Sequence, residues 1–180
     1  SIKGQGHWPE TEETPTITLF LDNLDDRSLR RVKQLGVLGI SIAHLDTGGL
    51  ETWNDENLKR HIDRVAEADL ELRNIMFDPG ERIIFGQPGR NEDIETVINA
   101  IQIAGRQSLP VMEYNFYSHR IVEGYKVVPG RGGSGLMDFN NDRIKDLPPL
   151  NGKTTISLDE LWDNVTYYLK AVIPVAEEAN

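Results

Sequence analysis

The sequence predicts an α/β fold built on a parallel sheet. Three observations predict it. A strand candidate followed by a helix candidate recurs four times. The strand candidates are short apolar runs rich in β-formers, as strands covered on both faces should be. The helix candidates carry apolar residues at helical spacing, and several open on a polar capping residue.

The elements follow in order. "TITLFL" (residues 16–21) is the first strand. Asp25 or Asp26 opens a helix that sets Leu29, Val32 and Leu35 on one face, and Gly36 ends it. "VLGISIAH" (residues 37–44) is the second strand, and "DTGGLETW" is a loop. Asn54 caps a helix carrying Leu58, Ile62, Val65 and Ala66 at i, i+4, i+7 and i+8. "LELRNIMF" (residues 70–77) is the third strand. The two Pro-Gly pairs of "DPGERIIFGQPGR" mark a loop. Asn91 is then expected to cap a helix with Ile94, Val97, Ile98 and Ile101 inward. "LPVMEYNF" (residues 109–116) is the fourth strand. Residues 117–156 make a connection far longer than the usual roughly 4–6 residues and read as a long active-site loop. Ser157 and Glu160 form an S-x-x-E capping box for a last helix with Leu158, Leu161, Val165, Tyr168 and Leu169 inward. Pro174 should kink or shorten that helix. Residues 1–15 are polar and irregular, and residues 1–180 as a whole read as a single unit.

Composition narrows the function classes. The chain has 180 residues, 38% hydrophobic and 27% charged, so it can bury a core and is not of disordered type. Its net charge of -10 argues against nucleic acid, whose binding needs a basic footprint, and against anionic membrane surfaces. No stretch approaches the roughly 18 apolar residues of a membrane span. With no cysteine, thiolate metal sites and disulfides are excluded within these residues, which fits a cytoplasmic protein.

Two architectures accommodate the alternation. One is an open doubly wound sheet. The other is a (β/α)₈ barrel, of which four units are half. In both, ligands sit at the carboxyl ends of the strands. The candidates there are Asp22, Asn23, His44, Asp46, Asp78, Tyr114, Asn115 and His119. Along the fourth strand Met112 and Tyr114 share one face, and Glu113 and Asn115 the other. A Glu or Asn facing a barrel interior needs a partner: it would bind substrate, water or metal, or form a satisfied polar pair inside the barrel mouth. "PGRGGSG" (residues 129–135) lacks the Lys-Ser/Thr of a P-loop. As a flexible loop it would bring backbone amides and Arg131 to an anion. Trp53 and Trp162 read as packing residues, and His61 as solvent-facing. No nucleophile–base pair is identified by spacing, so the catalytic residues stay unassigned.

"SIAHLD" (residues 41–46), the run 89–116, "HRIVEGYKVVPGRGGSG" (residues 119–135) and "LPPL" (residues 147–150) together resemble mannonate dehydratase, within the xylose-isomerase-type barrels. The resemblance implies an α/β (β/α)₈ TIM barrel with only the first four β/α units present here. That is a half barrel, with edge strands and one flank of the sheet uncovered. It implies a lyase that dehydrates D-mannonate to 2-dehydro-3-deoxy-D-gluconate in hexuronate catabolism. It also implies a divalent cofactor, Mn²⁺ or Fe²⁺, and a homo-oligomer. The family's metal ligands and catalytic His and Tyr lie in the other half of the barrel, so none is carried onto this chain. His44, Tyr114, Asn115, His119 and Arg131 are then the expected substrate-binding residues. Typical dehydratases carry a Trp-containing segment soon after Tyr-Asn-Phe, where this chain reads "YSHRIVEGY". Two alternatives stand beside it: a sugar isomerase or epimerase on the same barrel, and a non-enzymatic, compact four-strand α/β domain binding a small polyol or a protein partner.

Overall fold

The computed structural model describes residues 15–45, 49–118, 123–148 and 156–179. The chain divides into two compact units, residues 1–78, 98–114 and 175–180 in one, and residues 79–97 and 115–174 in the other. In chain order the elements are β1 (Thr18–Leu21), α1 (Asp26–Leu35), β2 (Gly39–Ile42), α2 (Asp55–Ala66), β3 (Glu71–Phe77), α3 (Glu81–Ile84), α4 (Arg90–Arg106), β4 (Val111–Tyr114), β5 (Tyr125–Pro129), β6 (Gly135–Phe139) and α5 (Leu158–Glu178). No helix among the described residues is long and apolar enough to cross a membrane.

The first unit holds the expected sheet. Its four strands are parallel and lie in sequence order, β1-β2-β3-β4. One sheet face is covered. Ile40, Ile42, Leu72 and Ile75 are buried in one cluster with Leu29 and Val32 of α1, Leu58 and Val65 of α2, and Ala100, Ile103 and Ala104 of α4. Leu19, Leu21 and Met112 pack against the same cluster.

The register fixes which residues take the other face. Paired residues of neighbouring parallel strands point the same way, and successive residues alternate. Ile40 pairs with Leu72, but Ser41 pairs with Asn74, so the ladder slips by one residue at Arg73. A slip of one residue moves everything beyond it to the opposite face. Phe20, Ser41, Asn74 and Val111 therefore form one row on the face opposite the helices, with Met76 and Glu113 in the next row toward the carboxyl ends. Phe20 is 50% exposed and Val111 49%.

The helix starts obey the capping rules. Asp25 accepts from the Ser28 amide at 2.7 Å, and Gly36 closes α1 in the left-handed region at φ 77°. Asn54 accepts from the Asn57 amide at 2.8 Å. At α5 the box closes both ways: the Glu160 amide donates to Ser157 Oγ at 3.2 Å, and the Ser157 amide to Glu160 Oε2 at 2.9 Å.

Other expectations need correction. Asn91 does not cap α4, which starts a residue earlier, after Gly89 at φ 90°. Pro174 does not end α5, which runs on to Glu178. Pro174, which has no N–H to give the Lys170 carbonyl, lies on an exposed stretch of the helix. Leu35, Leu158 and Trp162 are exposed, at 71%, 69% and 63%. Each lies at or near a helix end, where the apolar stripe has run past the core. His61 is half-buried, with Nδ1 2.9 Å from the Asn57 carbonyl.

In the second unit, α3 occupies what reads as loop, and the segment 117–156 carries an antiparallel hairpin, β5 with β6. The glycines that make this stretch look irregular are its turn. The Gly130 amide bonds the Ser134 carbonyl at 2.6 Å, and Gly132 and Gly133 take φ 66° and 80°. The Tyr125 and Phe139 rings pack at 4.9 Å across the pair. Arg143 braces the hairpin by donating to the Gly124 and Asp138 carbonyls at 2.8 and 3.0 Å. Elsewhere in this unit Asn164 donates to the Ile84 carbonyl at 3.1 Å, and Arg90 lies 3.7 Å over the Tyr167 ring.

Two predictions follow from the first unit. A Cβ on Gly39 would sit 2.7 Å from Thr18 Cγ2 and 2.9 Å from the Ile17 carbonyl oxygen. Gly39→Ala should therefore cost about 1–3 kcal/mol by overpacking the β1–β2 ladder, read as a lower urea midpoint at unchanged m. The second concerns Asp55, which accepts from Arg106 at 3.1 and 2.8 Å and from Gln107 at 3.1 Å. The Arg106 bonds first, then Gln107, hold its carboxyl below the usual aspartate range. Its contribution is thus complete above that range and is lost as pH falls through the lowered folded value. The melting temperature of the wild type should fall more between pH 7 and 3 than that of Asp55→Asn.

Candidate functional site

On the face opposite the helices, three neighbouring strands place polar side chains together. Asn74 Nδ2 donates to Glu113 Oε2 at 2.7 Å and lies 3.0 Å from Ser41 Oγ. An ionised carboxylate only accepts, so the amide nitrogen must face Glu113. This commits both amide hydrogens, one to each neighbour. Asn74 Oδ1 is then left buried with no hydrogen-bond partner among the described residues. A buried open acceptor costs about 1–3 kcal/mol. Packing alone would favour an apolar residue here, so the row has the mark of a functional arrangement. Ser41 is buried, while Glu113 is exposed one residue before the end of β4.

A second feature lies where β1 and β2 end. A cleft of about 520 Å³ is lined there by Asp22, Asn23 and His44 from the strand ends and by Arg60, His61 and Arg64 from α2. Arg64 is held in place: Nε donates to the Leu24 carbonyl at 3.0 Å, and the guanidinium pairs with Asp26. Asn23 Oδ1 accepts from the Asp25 amide and Ser28 Oγ, both at 3.2 Å. The cleft thus combines fixed cationic and amide groups with an exposed imidazole, His44.

The other expected site residues fall as follows. Tyr114 shares its face of the sheet with Met112, away from the polar row, and its ring packs 6.3 Å from that of Phe77. Asn115 is half-buried directly after β4. Arg131 is exposed in the β5–β6 turn of the second unit. His119 and Asp46 lie outside the described residues. Ser41 and Asn74 were not singled out from sequence. The available signal was a polar residue in mid-strand on adjacent strands, visible only once the register is known. Among the described residues, no group of three or more His, Asp or Glu gathers as a metal site.

A parallel sheet with polar groups on one face and at its strand ends places the chain among α/β proteins, a class whose ligands sit at the carboxyl ends of the strands. The family model of D-mannonate dehydratase (UxuA) matches residues 16–154, and the chain belongs to that family. It is 28% identical to the mannonate dehydratase of Streptococcus pneumoniae (strain 70585) over 86% of this chain and 50% of that protein. To the mannonate dehydratase of Thermotoga maritima it is 26% identical, over 87% of this chain and 52% of that protein. The crystal structure of mannonate dehydratase from Streptococcus suis serotype 2 superposes with a TM-score of 0.80 at 27% identity, covering 93% of this chain and 52% of that one. The chain therefore spans about half the length of these relatives.

The geometry separates packing from binding at β4. Tyr114→Ala should lower stability by roughly 2–4 kcal/mol through the lost ring packing, while Tyr114→Phe should retain the Phe77 contact and most of the stability. Asn74→Leu, which removes the open acceptor, should melt at or above the wild-type temperature. Calorimetry on the three variants checks both statements.

Proposed function

We propose that the chain supplies four β/α units of a (β/α)₈ barrel and the substrate side of a mannonate dehydratase-type hydro-lyase. The family match over residues 16–154 carries this reading. The parallel β1-β2-β3-β4 order and the polar groups at the strand ends support it. Dehydration of a sugar acid needs a base for the proton beside the carboxylate and an acid to assist the departing hydroxide. The described residues hold no three-ligand metal group, and no step assigned to this chain runs through a metal. Its part is to bind and orient. The expected substrate-binding residues are His44 of the first unit and Asn115 and Arg131 of the second, and Arg131 has the fork that matches a carboxylate. His119 and Tyr114 belong to the same expected set. Tyr114 carries a ring packed 6.3 Å from that of Phe77.

The 180-residue chain, mixed with Mn²⁺ and D-mannonate, is expected to form no 2-dehydro-3-deoxy-D-gluconate. D-mannonate should nevertheless shift the backbone amide resonances of His44, Asn115 and Arg131. Turnover by the chain would place catalytic groups within it, and an absence of shifts at all three residues would sink the substrate-side assignment.

A further inference from the structure

From the Ser41–Asn74–Glu113 row we infer a binding site for the uncharged, hydroxylated part of the ligand, with Glu113 excluding a second anionic group. The inference rests on the dehydratase reading for the acid, but not for the polyol. Glu113 is fixed by Asn74 through one oxygen, Oε2 at 2.7 Å. Its other oxygen makes no hydrogen bond among the described residues, and the residue is exposed. The partner is a neutral amide, which brings no cation against the carboxylate. Such a group has two properties. It accepts hydrogen bonds from neighbouring hydroxyls, and it repels a carboxylate or phosphate placed against it.

The surrounding face agrees. Phe20 beside Ser41 and Val111 beside Asn74, each half-exposed on the same face, suit the C–H face of a sugar chain. Ser41 takes its hydrogen bond from Asn74, which leaves its own O–H proton available as a donor. The buried open acceptor of Asn74 records the cost of turning its amide toward Glu113. The ligand class is therefore a polyol or an aldonate, one charged end at most. A six-carbon diacid and a phosphorylated sugar acid are disfavoured.

Backbone amide shifts of the 180-residue chain, titrated with D-mannitol, D-mannonate and D-mannarate, test this. D-mannitol and D-mannonate should move Ser41, Asn74 and Glu113, with D-mannarate at least about tenfold weaker than D-mannonate. The isosteric Glu113→Gln should bring the diacid to within about threefold of the aldonate. Equal binding of the two acids by the wild type, unchanged discrimination in Glu113→Gln, or no shift at the row with any ligand would each overturn the assignment. D-mannitol binding at the row without any D-mannonate binding would support the row and refute the dehydratase reading. D-mannonate binding with unchanged discrimination in Glu113→Gln would refute the row alone.

Discussion

The one-residue slip of the β2–β3 ladder at Arg73 is the constraint on which the arrangement rests. Before it, Leu72 sits beside Ile40 in the helix-covered core; after it, Asn74 sits beside Ser41 on the opposite face. Simple alternation from Leu72 would send Asn74 into the core and Arg73 to the polar face. The extra residue lets β3 contribute Leu72, Ile75 and Phe77 to burial and still present an amide to Glu113. Core and site are thus set by the same backbone irregularity.

This explains how much could be read from the residues alone. The four strands, their parallel sense and the caps at Asp25, Asn54 and Ser157 follow from local chemistry, because a capping side chain answers to an amide three residues away. Register is not local. Whether Tyr114 or Glu113 takes the face opposite the helices depends on how β4 pairs with β3, and neither composition nor spacing carries that information. So Tyr114, expected as a binding residue, lies on the helix-covered face with its ring beside Phe77, while Ser41 hides inside the apolar run "GISI".

The hairpin within residues 117–156 was obscured for a different reason. Its strands are five residues each, and the glycine-rich stretch between them dominates the local composition. Read as a window, the segment averages to loop. Taken residue by residue, Tyr, Val, Leu, Met and Phe flank a turn that needs left-handed backbone at Gly132 and Gly133. His44 was legible because a polar residue after an apolar strand marks the strand's end. The cationic lining it meets comes from α2, 16 to 20 positions further on, and only the folded chain brings it there.

The order β1-β2-β3-β4 leaves an outer ladder edge on β1 and another on β4 among the described residues. Such borders can template growth by addition of further strands. The chain's surplus of 29 acidic over 19 basic residues opposes this through mutual repulsion between molecules. Colloidal behaviour should accordingly be governed by acidity and ionic strength more than by thermal unfolding. Moving the pH toward the isoelectric point of about 4.8, or screening the charges with salt, weakens that repulsion.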